Sequence, residues 1–363
     1  MLEIAEEILK VIEDPNKRVV CACAPSTRVA LGEQFGMEVG KNEQGKMVTA
    51  LKMLGFDDVF DLDFCADLTI MEEANEFAEK LKSGNKFPHL TSCCPAWVKY
   101  VEKTYPEFKG HLSTVKSPQQ IFGAIVKTYY TNKLNVDEKN IFCVTIMPCL
   151  AKRLERLRKY QNVSSGLDVD AVLTVREFGE LLKEKNIDFK NLPNSEFTKE
   201  FGMASGAGVI FGTTGGVLEA AMRSLSEKIG KKPLKELNKQ IIQGEGGIRE
   251  FSNGQIKVAL VSGLANAKII MDRVKAGEHF DFIEVMACNG GCVNGTGMPL
   301  YPREFDKTPL VKKRAKGLRD SDMKSKVKAS HNNPTIQNLY KEFLGQPGSN
   351  KSKALLHTKY EEE

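Results

Sequence analysis

The chain has 363 residues, of which 41% are hydrophobic and 27% charged, as expected for a globular protein with a buried core. Its net charge of +5 suits an acidic partner but is too small to argue for nucleic acid binding. The longest apolar runs fall short of the ~20 residues that span a bilayer, so no membrane association is predicted. Nine cysteines are a low density for a disulfide framework, and their odd number also argues against complete pairing. Because unpaired thiols suit a reducing compartment, a cytoplasmic location is expected.

Apolar runs rich in β-branched residues alternate with helical patterns from one end of the chain to the other. The predicted strands are residues 19–25, 58–64, 87–93, 141–148, 170–175, 256–264 and 282–288. The predicted helices are residues 1–13, 48–55, 68–82, a helix starting at Pro95, 117–133, 176–184 and 335–344. This alternation predicts an α/β fold with mostly parallel sheets flanked by helices. We expect two lobes, approximately 1–165 and 166–320, with the active site in the cleft between them and a C-terminal wrap over 321–363.

Five cysteines lie in three segments that also carry glycine, proline or methionine: TSCCPAW (91–97), MPCLAKRLE (147–155) and EVMACNGGCVNG (284–295). Cys93, Cys149 and Cys288 lie at or just after the ends of predicted strands, where α/β proteins place their ligands. Thiolates select zinc, copper(I) or iron–sulfur clusters. Glycine and proline let the backbone approach a cofactor and direct N–H groups toward sulfur. The pattern therefore predicts a soft-metal cofactor.

The spacing of these cysteines favours iron–sulfur over zinc without excluding zinc. Cys288 and Cys292 form a C-x3-C pair, whereas structural zinc sites prefer C-x2-C pairs. No histidine has ligand spacing, and we assign no role to any of the five. The remaining cysteines resemble small buried hydrophobic residues, although Cys65 is also a candidate redox-sensitive thiol; these are Cys21, Cys23, Cys65 and Cys143.

The three cysteine segments resemble, in order and separation, the signature segments of the catalytic domain of FeFe-hydrogenases. The resemblance covers essentially the whole chain as a single H-cluster domain, 1–363. It extends to APSTRVALGEQFG (24–36), ADLTIMEEANEF (66–77), LSTVKSPQQIFG (112–123), SGAGVIFGTTGGVLEAAMR (205–223) and LLHTKY (355–360).

The resemblance implies the H-cluster as cofactor: a 4Fe-4S cube joined through one cysteine to a diiron unit with CO, cyanide and an azadithiolate bridge. Dedicated maturases install the diiron unit in this family. The implied ligands of the cube are Cys94, Cys149, Cys288 and Cys292, with Cys292 shared between the cube and the diiron unit.

The resemblance also implies a set of residues around the diiron unit. Lys152 matches a lysine that hydrogen-bonds one cyanide, and Ser26 belongs to the segment near the other. Met147 and Met286 match methionines that pack against the diiron unit. The implied cofactor-binding residues are Ala24, Pro25, Ser26, Gln119, Met147, Lys152, Phe211 and Met286.

A proton path is implied beside this pocket. Cys93 matches a thiol that is not a ligand and that exchanges protons with the bridge amine. Glu73 and Glu76 are three residues apart, so they share one face of a predicted helix. By resemblance, protons pass between Cys93, a water, Glu73, Ser113, Glu76 and the surface.

The reaction implied is the reversible reduction of protons to dihydrogen by a ferredoxin hydrogenase. The 363 residues contain no ferredoxin-like C-x2-C run, so we expect electrons from an external acidic ferredoxin or flavodoxin. A hydrogen sensor and an iron–sulfur assembly factor on the same fold are the alternatives. The assembly factor predicts the loss of residues around the diiron unit, and the sensor predicts an interrupted proton path. Thr296 and Met298 replace the glycine and glutamine usual in the family, and we expect them to tune the cofactor.

Overall fold

The computed structural model describes residues 3–84, 87–229, 246–252, 256–302 and 304–360. The strands are β1 (Arg18–Cys23), β2 (Asp58–Asp61), β3 (His89–Leu90), β4 (Ile141–Met147), β5 (Ala171–Thr174), β6 (Ile248–Ser252), β7 (Lys257–Ser262) and β8 (Phe282–Met286). The helices are α1 (Glu3–Ile12), α2 (Gln44–Leu54), α3 (Leu62–Ser83), α4 (Pro95–Thr104), α5 (Pro118–Ile125), α6 (Thr131–Leu134), α7 (Lys152–Glu155), α8 (Val175–Glu184), α9 (Gly206–Ile210), α10 (Gly216–Ile229), α11 (Leu264–Lys275), α12 (Thr308–Lys324), α13 (Pro334–Leu339) and α14 (Asn350–Leu356).

The first sheet has the strand order β2-β1-β4-β5, and all its neighbouring strands are parallel. Its strands are apolar along most of their length because helices cover both faces. Helices α1, α2 and α8 pack on one face, and α3, α5 and α13 pack on the other. The sequence-based prediction of parallel strands between helices is confirmed.

The second sheet has the order β3-β8-β7-β6, with parallel pairs except at the β6 edge, which is antiparallel. Helices α4 and α11 cover one face, whereas Phe77 of α3 and part of α10 pack on the other. Strand β6 is absent from the sequence-based prediction. It is a half-exposed edge strand with one buried residue, Phe251, so its sequence has no continuous apolar run.

The predicted and observed elements differ at several places, of which three bear on the fold. Residues 62–64, predicted as strand, form the first turn of α3, because the Asp61 side chain accepts a hydrogen bond from the Asp63 N–H and caps the helix. The strand predicted over 87–93 is reduced to His89–Leu90. The lysine-rich helix α12 was not predicted, yet Leu318 is fully buried on its inner face.

The predicted division into lobes at residue 165 stays a prediction. Strand β5 joins the first sheet although it follows residue 165, and β3 joins the second sheet although it precedes it. The C-terminal segment packs against α3, where Tyr340 and Ser352 hydrogen-bond Glu72. None of the helices in the described ranges is both long and apolar enough to cross a membrane.

Candidate active site

A largely apolar cavity lies where the carboxyl ends of strands from both sheets meet. Every predicted ligand and every predicted cofactor-binding residue lines it, together with the thiol predicted to pass protons. These are Ala24, Pro25, Ser26, Gln119, Met147, Lys152, Phe211 and Met286, with Cys93, Cys94, Cys149, Cys288 and Cys292. The tertiary structure thus brings together segments that lie up to 268 residues apart in the chain (from Ala24 to Cys292).

Strand ends deliver the cysteines to this cavity. Cys149 comes two residues after β4, and Cys288 comes two residues after β8. Cys94 immediately precedes α4, which begins at Pro95, a residue suited to the first helical position. Because the strands involved are parallel within their sheets, their carboxyl ends open toward a common crevice.

Cys292 reaches the cavity through a tight glycine turn. Gly290 and Gly291 have φ angles of 86° and 89°, a left-handed conformation that strains residues with a Cβ. A Cβ on Gly291 would also lie 2.8 Å from the Thr214 backbone nitrogen. The turn therefore requires glycine for both its conformation and its close packing.

Two hydrogen bonds join the second cysteine segment to the residues directly after the third. The Gly297 N–H donates to Pro148 O at 2.8 Å, and the Leu150 N–H donates to Thr296 Oγ1 at 3.2 Å. A Cβ on Gly295 would lie 2.2 Å from Pro148 O, so the two segments are in direct contact. Thr296 is exposed, and its extra side chain supports this contact.

Met298 does not line the cavity. It is buried in the core on the α1, α2 and α8 side of the first sheet. Its predicted influence on the cofactor would therefore have to act through the position of the loop that carries Cys292.

Four of the cavity's cysteines, Cys94, Cys149, Cys288 and Cys292, lie around a common space. Within the described ranges, no three His, Cys, Asp or Glu side chains are placed to hold one metal ion. Nevertheless, burial and the nearby Cys94, Cys288 and Cys149 raise the pKa of Cys292 well above its usual value. Four sulfurs that influence one another across a common space fit the ligand set of a four-iron cube.

Backbone N–H groups are directed at two of these sulfurs. Burial raises the pKa of Cys94, while hydrogen bonds from the backbone of Ala287 and Trp97 act in the opposite direction. Burial likewise raises the pKa of Cys288 to about 11 against a backbone hydrogen bond from Thr296. Such N–H groups stabilise thiolate ligands, as in iron–sulfur cages.

The cavity also contains a buried hydroxyl group without a partner. Ser26 is completely buried, and its Oγ has no hydrogen-bond partner in the part of the chain that the structure describes. Leaving such a group unpaired costs about 1–3 kcal/mol. A bound group with hydrogen-bond acceptors beside Ser26 would remove this cost, which fits the cyanide ligand implied by the sequence.

Lys152 is held at the cavity wall by Glu155, a residue that the sequence analysis did not assign. Its Nζ donates to Glu155 Oε2 at 2.8 Å and to Cys93 O at 3.0 Å. Burial lowers the pKa of Lys152, but the Glu155 carboxylate and nearby thiols outweigh it and the pKa is raised. Glu155 lies three residues after Lys152, and this helical spacing could have predicted that the two side chains are in contact.

The predicted proton path forms a hydrogen-bonded chain next to the cavity. Ser113 Oγ lies 3.0 Å from Glu73 Oε2 and 2.8 Å from Glu76 Oε2. Burial raises the pKa of Glu73 to about 7. Cys93 and Glu73 interact electrostatically, but in the described residues no hydrogen bond joins them directly, which is compatible with the predicted water.

Four further polar side chains contact this path and were not assigned from the sequence. His89 contacts Glu73, Lys80 contacts both His89 and Glu76, and Thr114 links Glu76 to His357. Of these four residues, the sequence could have indicated Lys80, because it lies four residues after Glu76 on the same helix.

The four remaining cysteines are buried away from solvent. Cys65 is 2% exposed, and burial together with Asp61, Asp67 and Asp63 raises its pKa well above the usual value. Reactive thiols are exposed and have a low pKa. The structure therefore favours a packing role for Cys65 over redox sensitivity.

Comparison with known proteins agrees with this site. Residues 17–296 match the family described as iron only hydrogenase large subunit, C-terminal domain, and residues 308–363 match iron hydrogenase small subunit. The NADP-reducing hydrogenase subunit HndD of Solidesulfovibrio fructosivorans is 43% identical over 98% of this chain. The periplasmic iron hydrogenase large subunit of Nitratidesulfovibrio vulgaris is 44% identical over 82% of it. The chain spans 62% and 72% of these relatives, respectively.

A solved variant of the FeFe-hydrogenase HydA1 from Chlamydomonas reinhardtii superposes with a TM-score of 0.85 at 35% identity, covering 99% of both chains. Protein NAR1 of Arabidopsis thaliana is 31% identical over 95% of this chain and 78% of its own length. Cytosolic Fe-S cluster assembly factors are also similar, at about 29% identity. The prediction of an H-cluster, with its 4Fe-4S and diiron parts, is confirmed by the family and structural matches. This chain belongs to the iron-only, or FeFe, hydrogenase family.

Proposed function

We propose that this chain catalyses the reversible reduction of two protons by two electrons to dihydrogen. The observation that carries the proposal is the cavity lined by five cysteines and flanked by the Glu73–Ser113–Glu76 chain. When bound, the H-cluster supplies the electron storage and the chemistry at hydrogen. The protein supplies its binding site, the exclusion of water and the supply of protons.

The cavity residues divide these tasks. Cys94, Cys149, Cys288 and Cys292 would hold the cube, with Cys292 shared with the diiron unit. The Lys152 ammonium and the Ser26 hydroxyl are the donors available to cyanide ligands. The lining is largely apolar, with methionine and phenylalanine side chains on its walls. In such a dry pocket a charged donor is worth more than it is in water.

Protons would travel along the hydrogen-bonded chain. Each group gives one proton as it takes another, so no group keeps a changed charge after a turnover. Glu76 lines an open surface cleft, through which the outer end of this hydrogen-bonded path would reach solvent. The Glu73 pKa of about 7 suits a carboxyl group that exchanges protons at neutral pH.

An acidic ferredoxin or flavodoxin would supply electrons near the third cysteine segment. Asn289 and Gly290, within this segment, line an open cleft whose other side carries Lys307, Lys312 and Arg319. Complementary charge accelerates encounter with an acidic carrier.

We expect the double variant Lys307→Glu with Lys312→Glu to raise KM for such a carrier, most at low salt, while the rate with a small viologen dye stays unchanged. An equal loss with both donors would contradict docking at this cleft.

Two further points belong to this proposal. We expect the cytoplasm as the compartment, although one relative is named as periplasmic. The NAR1-like relatives make an assembly factor the main alternative. The presence of Cys93, Lys152 and Phe211 in the cavity, and of a connected proton chain, favours the enzyme over both this alternative and a sensor.

The proposal is tested by maturing the protein with the family's maturases. We expect CO and cyanide stretching bands in the infrared and hydrogen evolution from a reduced dye. Cys93→Ala should keep these bands and lose most turnover. Bound zinc in place of iron would refute the site, and a cube without infrared bands or turnover would favour the assembly factor.

A further inference from the structure

His89 makes two short contacts at the centre of the proton path. It is completely buried. Its Nε2 lies 2.7 Å from Glu73 Oε1, and its Nδ1 lies 2.8 Å from Lys80 Nζ. Glu73 is therefore held from two sides, by His89 on one carboxylate oxygen and by Ser113 on the other.

These contacts determine where the imidazole proton lies. A lysine ammonium has donors only, so Nδ1 must accept from Lys80. A neutral imidazole carries its proton on the other nitrogen, so Nε2–H donates to Glu73. Burial, and secondarily the Lys80 charge, lowers the pKa of His89 to about 3, which keeps the ring neutral.

The surroundings leave His89 little freedom to rotate. The rings of Phe77 and Phe282 lie 5.6 Å and 5.1 Å from the imidazole. The titratable groups around the pair are Lys80 and Glu76 beside His89, with Lys80, His357 and the Cys93 thiol near Glu73. Because the ring is packed, resetting its tautomer after carrying a proton would be difficult, so positioning is favoured over proton transfer.

We propose that His89 is a positioning residue: held in one tautomer by Lys80, it donates a hydrogen bond that stabilises the Glu73 carboxylate and keeps it directed at Ser113. This inference concerns how the proposed proton path is tuned, and it therefore rests on the proposed function. It predicts that the protonation of Glu73 depends on His89.

The test compares His89→Leu with His89→Gln. Leucine keeps the apolar packing but has no donor, whereas the glutamine amide can donate to Glu73 and accept from Lys80. The Glu73 carboxyl band is titrated by infrared difference spectroscopy against Glu73→Gln, with and without the diiron unit. This readout does not require turnover, so it stays informative if the proposed function fails.

A hydrogen bond to a charged group corresponds to about 1–2 pKa units. We expect His89→Leu to raise the Glu73 pKa by about that amount and to move the matching limb of the turnover pH profile equally. His89→Gln should restore most of both. An unchanged titration in His89→Leu, or equal shifts in both variants, would overturn the proposal.

A second arm separates positioning from proton transfer. If His89 only positions Glu73, Ser113→Ala should lose turnover whether or not His89 is present. Full turnover in Ser113→Ala that disappears on adding His89→Leu would show that His89 itself carries protons, which would also overturn the proposal.

Discussion

Two adjacent residues of α3, Glu72 and Glu73, bind different sets of hydrogen-bond partners. Both are buried, and both contact a histidine. Glu72 accepts from Tyr340, Gly348, Ser352 and His357, all in the C-terminal segment. Among the residues that the structure describes, Glu73 has hydrogen-bond contacts with two, His89 and Ser113.

Glu72 and Glu73 differ in the number of their hydrogen-bond partners and in where those partners lie in the chain. This difference suits Glu72 to a structural role and Glu73 to proton transfer. Four contacts surround Glu72, so protonating it would disrupt bonds that attach the C-terminal segment to α3. Glu73 has two contacts and lies close enough to Cys93 for electrostatic interaction. Burial alone therefore does not distinguish the two residues, and we expect the one with unused hydrogen-bonding capacity beside the cavity to carry protons.

The strongest test of this contrast is Glu73→Gln. Glutamine has the same shape but cannot exchange a proton at neutral pH, so we expect turnover to fall by about 100-fold or more. Infrared bands of the cofactor should persist. Glu79→Gln, an exposed position on the same helix, serves as the control and should retain turnover. Substantial activity in Glu73→Gln would show that protons take another route.

Glu72→Gln should instead lower stability. Its amide N–H₂ group would face donors in place of an acceptor, and we expect a loss of about 2–4 kcal/mol in the free energy of unfolding. Denaturant unfolding measures this loss, again with Glu79→Gln as the near-neutral control. A stable Glu72→Gln protein with impaired turnover would reverse the roles assigned to the two residues.

The pH dependence of stability offers a finer comparison. The Glu73 pKa rises from 4.5 to about 7 on folding, so the folded state holds this proton more tightly than the unfolded state. Its stabilising contribution is complete below about pH 4.5 and is lost as pH rises through 7. From pH 5 to 9 the wild type should lose up to about 3 kcal/mol relative to Glu73→Gln.

The apparent unfolding midpoint at each pH measures that difference. Glu284, whose pKa burial also raises to about 7, is present in both proteins, so its contribution cancels. Parallel pH curves would contradict the burial effect assigned to Glu73.

The smallest effect is expected at Met298, which lies in the core instead of the cavity. Met298→Leu conserves volume approximately and should cost less than about 1.5 kcal/mol. Cofactor bands and turnover should stay unchanged. A clear change in the infrared bands would show that this position influences the cofactor through the neighbouring loop.

The site was largely predictable because its residues occur in dense local motifs. Cys93 and Cys94, or Met147 and Cys149, are recognisable together without knowledge of the fold. His89 was missed because a single histidine in an apolar run gives no indication of its partners. Lys80 is nine residues before it in the chain and on a different element, so only packing reveals their contact.

The amino-acid sequence alone determined the alternation of strands and helices, the placement of cysteines after strand ends and the family resemblance, because each depends on residues close together in the chain. Tertiary structure decided which of the two carboxylates contacts Ser113, that Met298 belongs to the core, and that Glu155 contacts Lys152 and His89 contacts Glu73. Hydrogen bonds and burial depend on distances between separate elements, and these exist only once both sheets and the C-terminal segment have packed around α3.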